Sequence, residues 1–321
     1  MADAADNDEL LLLVSRLYYD DGLSQGDVAR MANVSQAKIS RLLAKAREKG
    51  IVRITVAEYE PRDLRLQTEL EKRLGLHQAV VIKTAEGCSI EELRQSVAHF
   101  AAPWISAMIR PDDVLALAGG RAMQWLAQAM KPAPETTGLT IVQAMGNIDA
   151  SVGPYDALEL GRIIARHWDG TFLTLNMPAM LPNARTRKSI LALEPIRLVM
   201  ERLRNVRIAL VGVGTLENSV FVERGALNEN NLKQLKKAGA VGEICGRFFD
   251  RQGEECKTSF RDRVVSIELE DLKKTDEVVA MVVGSDRTEA ILSALRGGLI
   301  KSLVIDQAGA IALLEGASSE F

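Results

Sequence analysis

The sequence predicts an α/β chain in two parts, an N-terminal winged helix-turn-helix and a larger doubly wound, Rossmann-like domain suited to binding an effector. Three observations predict it. Two helix-capping signals flank a short turn within residues 8–50, short β-branched runs alternate with helical stretches from Gln78 onward, and several of those runs end in glycine turns. The length of 321 residues, with 47% apolar and 26% charged, suffices for more than one core. The boundaries expected are 1–58 for the winged helix-turn-helix, 59–77 for a linker and candidate oligomerisation helix, and 78–321 for the α/β domain.

Composition narrows the function classes. A formal net charge of −3 argues against a wholly basic chain that coats nucleic acid or membrane, but leaves room for a local basic patch. Cys88, Cys245 and Cys256 have no CxxC spacing, so neither a disulfide framework nor a metal site is expected, and a reducing cytoplasm is the expected compartment. The apolar run 10–14 is too short to cross a bilayer, so no membrane partner is expected.

The first helix is predicted over 8–19, with Asp8 and Glu9 at the positive end of its dipole and Gly22 closing it. Ser24 and Asp27 have capping-box spacing and start a second helix that runs to about Ala32. Asn33, Val34 and Ser35 form a three-residue turn, and Ser35 caps a third helix over 36–49 that Gly50 ends. Two short helices joined in this way are the DNA-reading arrangement.

At 3.6 residues per turn, Ile39, Leu42, Leu43 and Ala46 fall on one side of the third helix and must face its neighbours. Ala37, Arg41, Ala44 and Lys45 fall opposite, flanked by Lys38 and Ser40. Small residues there let the helix enter a major groove about 12 Å wide. Arg41 is the candidate for a bidentate guanine contact and Gln36 for an adenine contact, with Ser35, Lys38 and Lys45 on phosphate. Gln25, opening the second helix, completes the DNA-facing set.

Between residues 30 and 53 stand Arg30, Lys38, Arg41, Lys45, Arg47, Lys49 and Arg53 against Glu48 alone, whereas Asp20 and Asp21 should lie off the contact surface. A solvated surface helix can also be basic, and a helix-turn-helix can meet protein instead of DNA. Capping, turn length and the apolar seam together favour DNA. The alternation over 51–56 predicts a strand, the wing.

Glu60 and Pro61 break the pattern, and 64–74 resumes it as a helix with Leu66, Leu70 and Leu74 at four-residue spacing. That spacing fits a short dimerising helix and equally a helix packed on its own domain. Strands are predicted over 79–82, 114–118, 139–143, 171–175, 207–213, 264–269, 278–283 and 302–305, with helices between them. Three end in glycine turns. Gly119, Gly120 and Arg121 precede a helix over 122–130; Gly212, Gly214 and Thr215 form the turn in which the fifth strand ends; Gly284, Ser285, Asp286 and Arg287 precede a helix over 288–295.

In an open α/β sheet these turns form the ligand crevice, and free amides at a helix start attract an anion. The guanidinium forks of Arg121 and Arg287 favour the same guest. Glu217 stands where the third glycine of a GxGxxG fingerprint is required, so no dinucleotide cofactor is expected.

The stretch from Leu17 to Gln25, continuing through Ser40, Arg41, Leu42 and Leu43 to Gly50, Ile51 and Val52, resembles the opening of the SorC family of bacterial sugar-responsive regulators. Further matches run through Leu210 to Gly214, Ala240 to Glu243, Phe248 to Gly253 and Ala290 to Gly298. The resemblance implies an effector domain akin to sugar-phosphate isomerases and glucosamine-phosphate deaminases, a homo-oligomer (dimer or tetramer), and double-stranded operator DNA as partner. It also implies control of a carbohydrate or polyol catabolic operon by a phosphorylated sugar held in the crevice, and it adds Asp250 to the candidate effector set.

The chain departs from the family pattern at two turns. Ala122 follows Gly120 and Arg121 where a threonine is common, and Val283 and Arg287 stand where a glycine and a lysine are common. The effector is therefore a sugar or sugar phosphate, and an unusual or unphosphorylated one stays open.

The rival reading is an active isomerase or deaminase carrying a DNA-binding segment. Acid-base catalysis needs a positioned titratable group. His77, His99 and His167 are not beside the glycine turns, and Asp250, Asp286 and Asp306 fit hydroxyl recognition or capping as well as catalysis. No catalytic residue is assigned.

Overall fold

The computed structural model describes residues 8–57, 59–134 and 136–319, in two compact units that divide after Tyr59. In the first unit, α1 (Asp8–Ser15) runs into a π-helical turn at Arg16–Asp20, and α2 (Gln25–Met31) and α3 (Gln36–Glu48) follow. Leu11 and Val14 of α1, Val28 of α2 and Ile39, Leu42, Leu43 and Ala46 of α3 close a single buried cluster. Its α3 members are the four that helical projection places inward.

The Ser24 hydroxyl accepts from the Asp27 amide and donates to the Asp27 carboxylate, and the Ser35 hydroxyl accepts from the Lys38 amide. Asn33 takes φ 49° between these helices, the left-handed conformation that a three-residue reversal requires.

One expectation fails in this unit and another is refined. The helix expected over 8–19 forms and runs to Asp20, but from Arg16 onward i→i+5 bonding such as Asp21 N to Arg16 O replaces α-helical bonding. The wing strand over 51–56 does not form. Val52 donates back to Ala46 O, and the residues after it have no partner strand within the described unit, so Ile54 and Val56 stay 57% and 81% exposed. Strand-like alternation needs a second strand before it becomes a ladder.

The second unit opens with α4 (Leu64–Leu74), β1 (Gln78–Ile82), α5 (Ile90–Met108), β2 (Val114–Leu117), α6 (Arg121–Ala129) and β3 (Thr140–Gln143). α7 (Ala157–Trp168), β4 (Thr171–Leu173), α8 (Ala184–Leu191), α9 (Glu194–Arg204) and β5 (Ile208–Val211) come next. A smaller insertion carries α10 (Val220–Glu223), α11 (Glu229–Lys237), β6 (Gly242–Ile244) and β7 (Arg247–Phe249). α12 (Leu269–Lys274), β8 (Glu277–Met281), α13 (Thr288–Arg296), β9 (Ser302–Asp306) and α14 (Gln307–Ser319) complete it.

Seven strands form one parallel sheet in the order β1-β9-β8-β5-β2-β3-β4. Alternate residues serve opposite faces: Ala79 and Val81 join one buried cluster, Val80 and Ile82 the other. Helices therefore cover both faces. β2 leads on to β3 at one side, and β5 leads on to β8 at the other, so the direction of winding reverses between β2 and β5. The crevice outside the carboxyl ends of two such strands is where an open sheet receives its ligand.

Sequence periodicity misassigns two parts of this unit. Residues 264–269, expected as a strand, form no ladder; Val265 and Ile267 donate to Ala179 O and Ala144 O, tying two loops instead, and Leu269 already begins α12. The hairpin of β6 and β7, paired Gly242 with Phe249, was not anticipated because its strands are short and separated by Cys245 and Gly246, both at positive φ. Leu66 and Leu70 of α4 are sealed in the core beside β1, so this helix spends its apolar face within its own unit.

Candidate functional site

In the first unit, α3 presents Gln36, Ala37, Ser40 and Arg41 to solvent, with Lys38 and Lys45 half-buried and Ser35 exposed at its cap. Gln25 is half-buried at the start of α2. Arg41 lies along its own helix, its Nε donating to Ala37 O at 3.4 Å, a long contact that leaves the guanidinium free to extend. Asp20 is exposed 3.9 Å from Arg16, off α3. The exposed flank of α3 is thus small, polar and basic, and its opposite flank is the seam of the unit's core.

In the second unit, the crevice at the winding reversal is lined by the turns after β2, β3, β5 and β8. Gly119, Gly120 and Arg121 contribute from the first; Gly212 and Gly214 from the third; Val283 and Arg287 from the fourth. Gly119 is required by close approach, since a Cβ there would stand 2.8 Å from Tyr155 O. Gly120 caps α6 at φ 146° and donates its amide to Tyr155 O, which fixes the loop carrying Tyr155 and Asp156 at the crevice wall.

Three guanidiniums serve this crevice: Arg94 from α5, Arg121 from α6 and Arg287 before α13. Burial, reinforced by the positive charges of Arg94 and Arg121, weakens the hold of Arg287 on its proton relative to an ordinary arginine, while the Asp286 carboxylate opposes that effect. Arg287 donates to Val283 O and to Asp286, and Arg94 is held by Glu91 at 2.8 Å. A cluster of like charges in a partly dry cleft is at lower energy with an anion among them.

An acidic group and neutral amides line the same crevice. Glu243, at the start of the insertion's hairpin, is buried in the crevice wall; desolvation pushes its carboxyl pKa up, against hydrogen bonds from the Ser219 hydroxyl and the Gly246 amide. Beside it the buried Cys245 thiol is pushed up to about 12 by desolvation, so it stays protonated and unreactive. Asn147 and Asn218 add amide groups, and Gln143 is committed to Asn147 and to the Leu175 amide. An anion-attracting side and a hydroxyl-matching side in one crevice suit a small, polar, charged molecule.

Five of the effector-site candidates lie outside the lining. Thr215 and Gly284 use their amides on Asn218 Oδ1 and Asp306 Oδ1, so both serve the local turns. Asp286 accepts from Asn218 and Arg287, Ser285 is exposed with its carbonyl taken by the Thr288 hydroxyl, and Asp250 closes the turn after β7 by accepting from the Gln252 and Glu254 amides. The sequence reading missed Arg94, Tyr155, Asp156 and Glu243 as members of the crevice. Glu243 lies inside a stretch that carried the family resemblance; Arg94 lies in the second turn of α5, where no local signal distinguishes it.

Of the histidines, His77 faces Glu277, His167 bonds Met130 O and His99 stacks edge-on with Phe100. None lines the crevice, and its described lining holds no lysine.

The Sugar-bind family model, that of a sugar-binding domain, matches residues 61–315. Over 309 residues the chain is 32% identical to the deoxyribonucleoside regulator of Bacillus subtilis, spanning 95% of this chain and 97% of that one. It is 26% identical over 317 residues to the sorbitol operon regulator of Klebsiella pneumoniae, spanning 97% and 99%. The crystal structure of the full-length sorbitol operon regulator SorC from Klebsiella pneumoniae matches with a TM-score of 0.76 at 25% identity, covering 97% of this chain and 99% of that one.

Proposed function

The chain belongs to the SorC family of transcriptional regulators, and from that premise we propose that it reads operator DNA through α3 under the control of a small phosphorylated sugar bound at the β2/β5 crevice. The operon it controls serves carbohydrate or polyol catabolism, a reading supported by relatives named as a deoxyribonucleoside regulator, a sorbitol operon regulator and an erythritol catabolism regulatory protein. The observation that carries the effector reading is the approach of Arg94, Arg121 and Arg287 to one crevice that also holds Glu243, Asn147 and Asn218. The guanidiniums suit a phosphate; the carboxyl and amides suit hydroxyls.

On DNA, Arg41 and Gln36 contact base edges while Ser35, Lys38 and Lys45 meet phosphates, with Ala37 and Ser40 allowing close approach and Gln25 touching the backbone from α2. The active species is a homo-oligomer in the cytoplasm, because two half-sites need two reading helices. The chain performs no catalysis. A regulator that reuses an enzyme-like fold needs the pocket and not the chemistry.

A thermal-shift screen of sugars, polyols and their phosphates tests the effector reading, since a ligand of the folded state alone raises the melting temperature. At least one sugar phosphate should stabilise the protein, and Arg287→Ala should abolish that stabilisation while leaving ligand-free DNA binding intact. Stabilisation by neutral sugars only, or equal stabilisation of the Arg287→Ala variant, contradicts it. Incubation of purified protein with the stabilising sugar phosphate should return it unchanged; turnover would favour the isomerase alternative.

A further inference from the structure

We propose that Glu223 is a built-in competitor for the effector's anionic group, so that Arg121 exchanges Glu223 for the ligand when the crevice fills and phosphorylated ligands are selected over neutral ones. This inference rests on the anion reading above. It concerns a residue outside the crevice lining, and it assigns the three arginines different roles.

Arg94 and Arg287 are the fixed pair. Arg94 has only 14% of its side chain exposed and is held by Glu91 at 2.8 Å; Arg287 is 16% exposed and tied to its own turn through Val283 O and Asp286. Arg121 differs from both. Its guanidinium forms an ion pair with Glu223, a residue 102 positions later at the end of α10, and the two side chains are 40% and 45% exposed. An ion pair that exposed is worth little and is readily exchanged. A phosphate, carrying about −1.5 to −2 charges and three acceptor oxygens, outcompetes a single carboxylate for a guanidinium. A neutral sugar has nothing with which to displace it.

The pair also anchors a ring. The Arg121 guanidinium lies over Tyr155 at 5.5 Å from the ring centroid, and Arg224, adjacent to Glu223, lies over the same ring at 5.1 Å. Arg224 in turn binds Asp149 at 3.1 Å and Asp156 at 2.8 Å. Glu223, Arg121, Tyr155, Arg224 and the two aspartates thus join α10 to the loop 149–156. Val220, Phe221, Tyr155 and Asp156 line the crevice from these same two elements. Release of Glu223 therefore loosens the tie between α10 and the start of α6, both of which flank the ligand, and gives an anion, but not a neutral sugar, a structural consequence.

Isothermal titration of inorganic phosphate into the full-length protein at low salt tests the proposal, with Glu223→Gln as the first variant and Glu223→Ala as a second route to the same deletion of charge. Both should bind phosphate about two- to fivefold more tightly than the parent protein, the range set by an exposed ion pair. In an Arg121→Gln background, Glu223→Gln should change nothing, because the competitor then has no object. The proposal is overturned if removing the carboxylate leaves phosphate affinity unchanged or lowers it, or if the gain persists without Arg121. Arg287→Ala separates the two levels of failure: its weakening phosphate binding while Glu223→Gln has no effect leaves the anion reading standing and removes only the competitor. If phosphate binds none of these proteins, both fall together.

Discussion

Arg41 is exposed on α3 while Ile39, two positions earlier, is sealed inside, and a helix that reads base edges needs that opposition of faces. Arg41→Ala should cost about 1–3 kcal/mol on a cognate duplex and relax sequence preference, measured by fluorescence anisotropy against a random duplex. Equal weakening on both would assign Arg41 to phosphate. Glu243 gives a second residue-level prediction. Burial raises its folded-state pKa above the ordinary 4.5, so its ionisation costs nothing well below that pH and progressively destabilises the fold as pH rises from 4.5 through the raised value. Glu243→Gln keeps an acceptor for the Gly246 amide and removes the charge, so its melting temperature should gain on that of the parent as pH rises. A constant difference from pH 4 to pH 8 would contradict the raised pKa. Neither Glu243 nor Arg94 was legible as a site residue, because each is brought to the crevice by a chain reversal far from the glycine turns. Arg121 and Arg287 were legible because they stand in those turns.

At the scale of elements, the helix-turn-helix was readable almost residue by residue. Ser24, Ser35 and the 3.6-residue apolar seam are local chemistry, and local chemistry fixes short helices. Ser35→Ala should destabilise the first unit by about 1 kcal/mol through loss of the α3 cap, and denaturant unfolding would reveal it. α4 was ambiguous for a physical reason: leucines at four-residue spacing fit a partner chain and an intrachain groove alike. Leu66 and Leu70 fill the groove. Leu70→Ala should therefore cost about 2–5 kcal/mol of stability. The loss should not depend on protein concentration; a concentration-dependent loss would return α4 to an oligomer seam. The failed strands at 51–56 and 264–269 share one cause. Alternation reports which side chains suit a strand, and a strand also needs a neighbour whose amides and carbonyls are unspent. At 264–269 the available partners are the loops after β3 and before α8.

The whole molecule places a DNA-reading unit and an anion-attracting crevice on one chain, and the order of the parallel strands was foreseeable only as a class. Winding reversal between β2 and β5, which locates the crevice, depends on long-range pairing that no local pattern encodes. If the crevice governs the reading helix, effector and DNA affinities are coupled by the same factor in both directions. The most direct measurement of that claim is an anisotropy titration of full-length protein against its selected operator duplex, with and without the sugar phosphate that stabilises it most. The account predicts a shift in operator affinity, matched by an equal shift in effector affinity when the duplex is already bound. Operator affinity that is unchanged at saturating effector would contradict it.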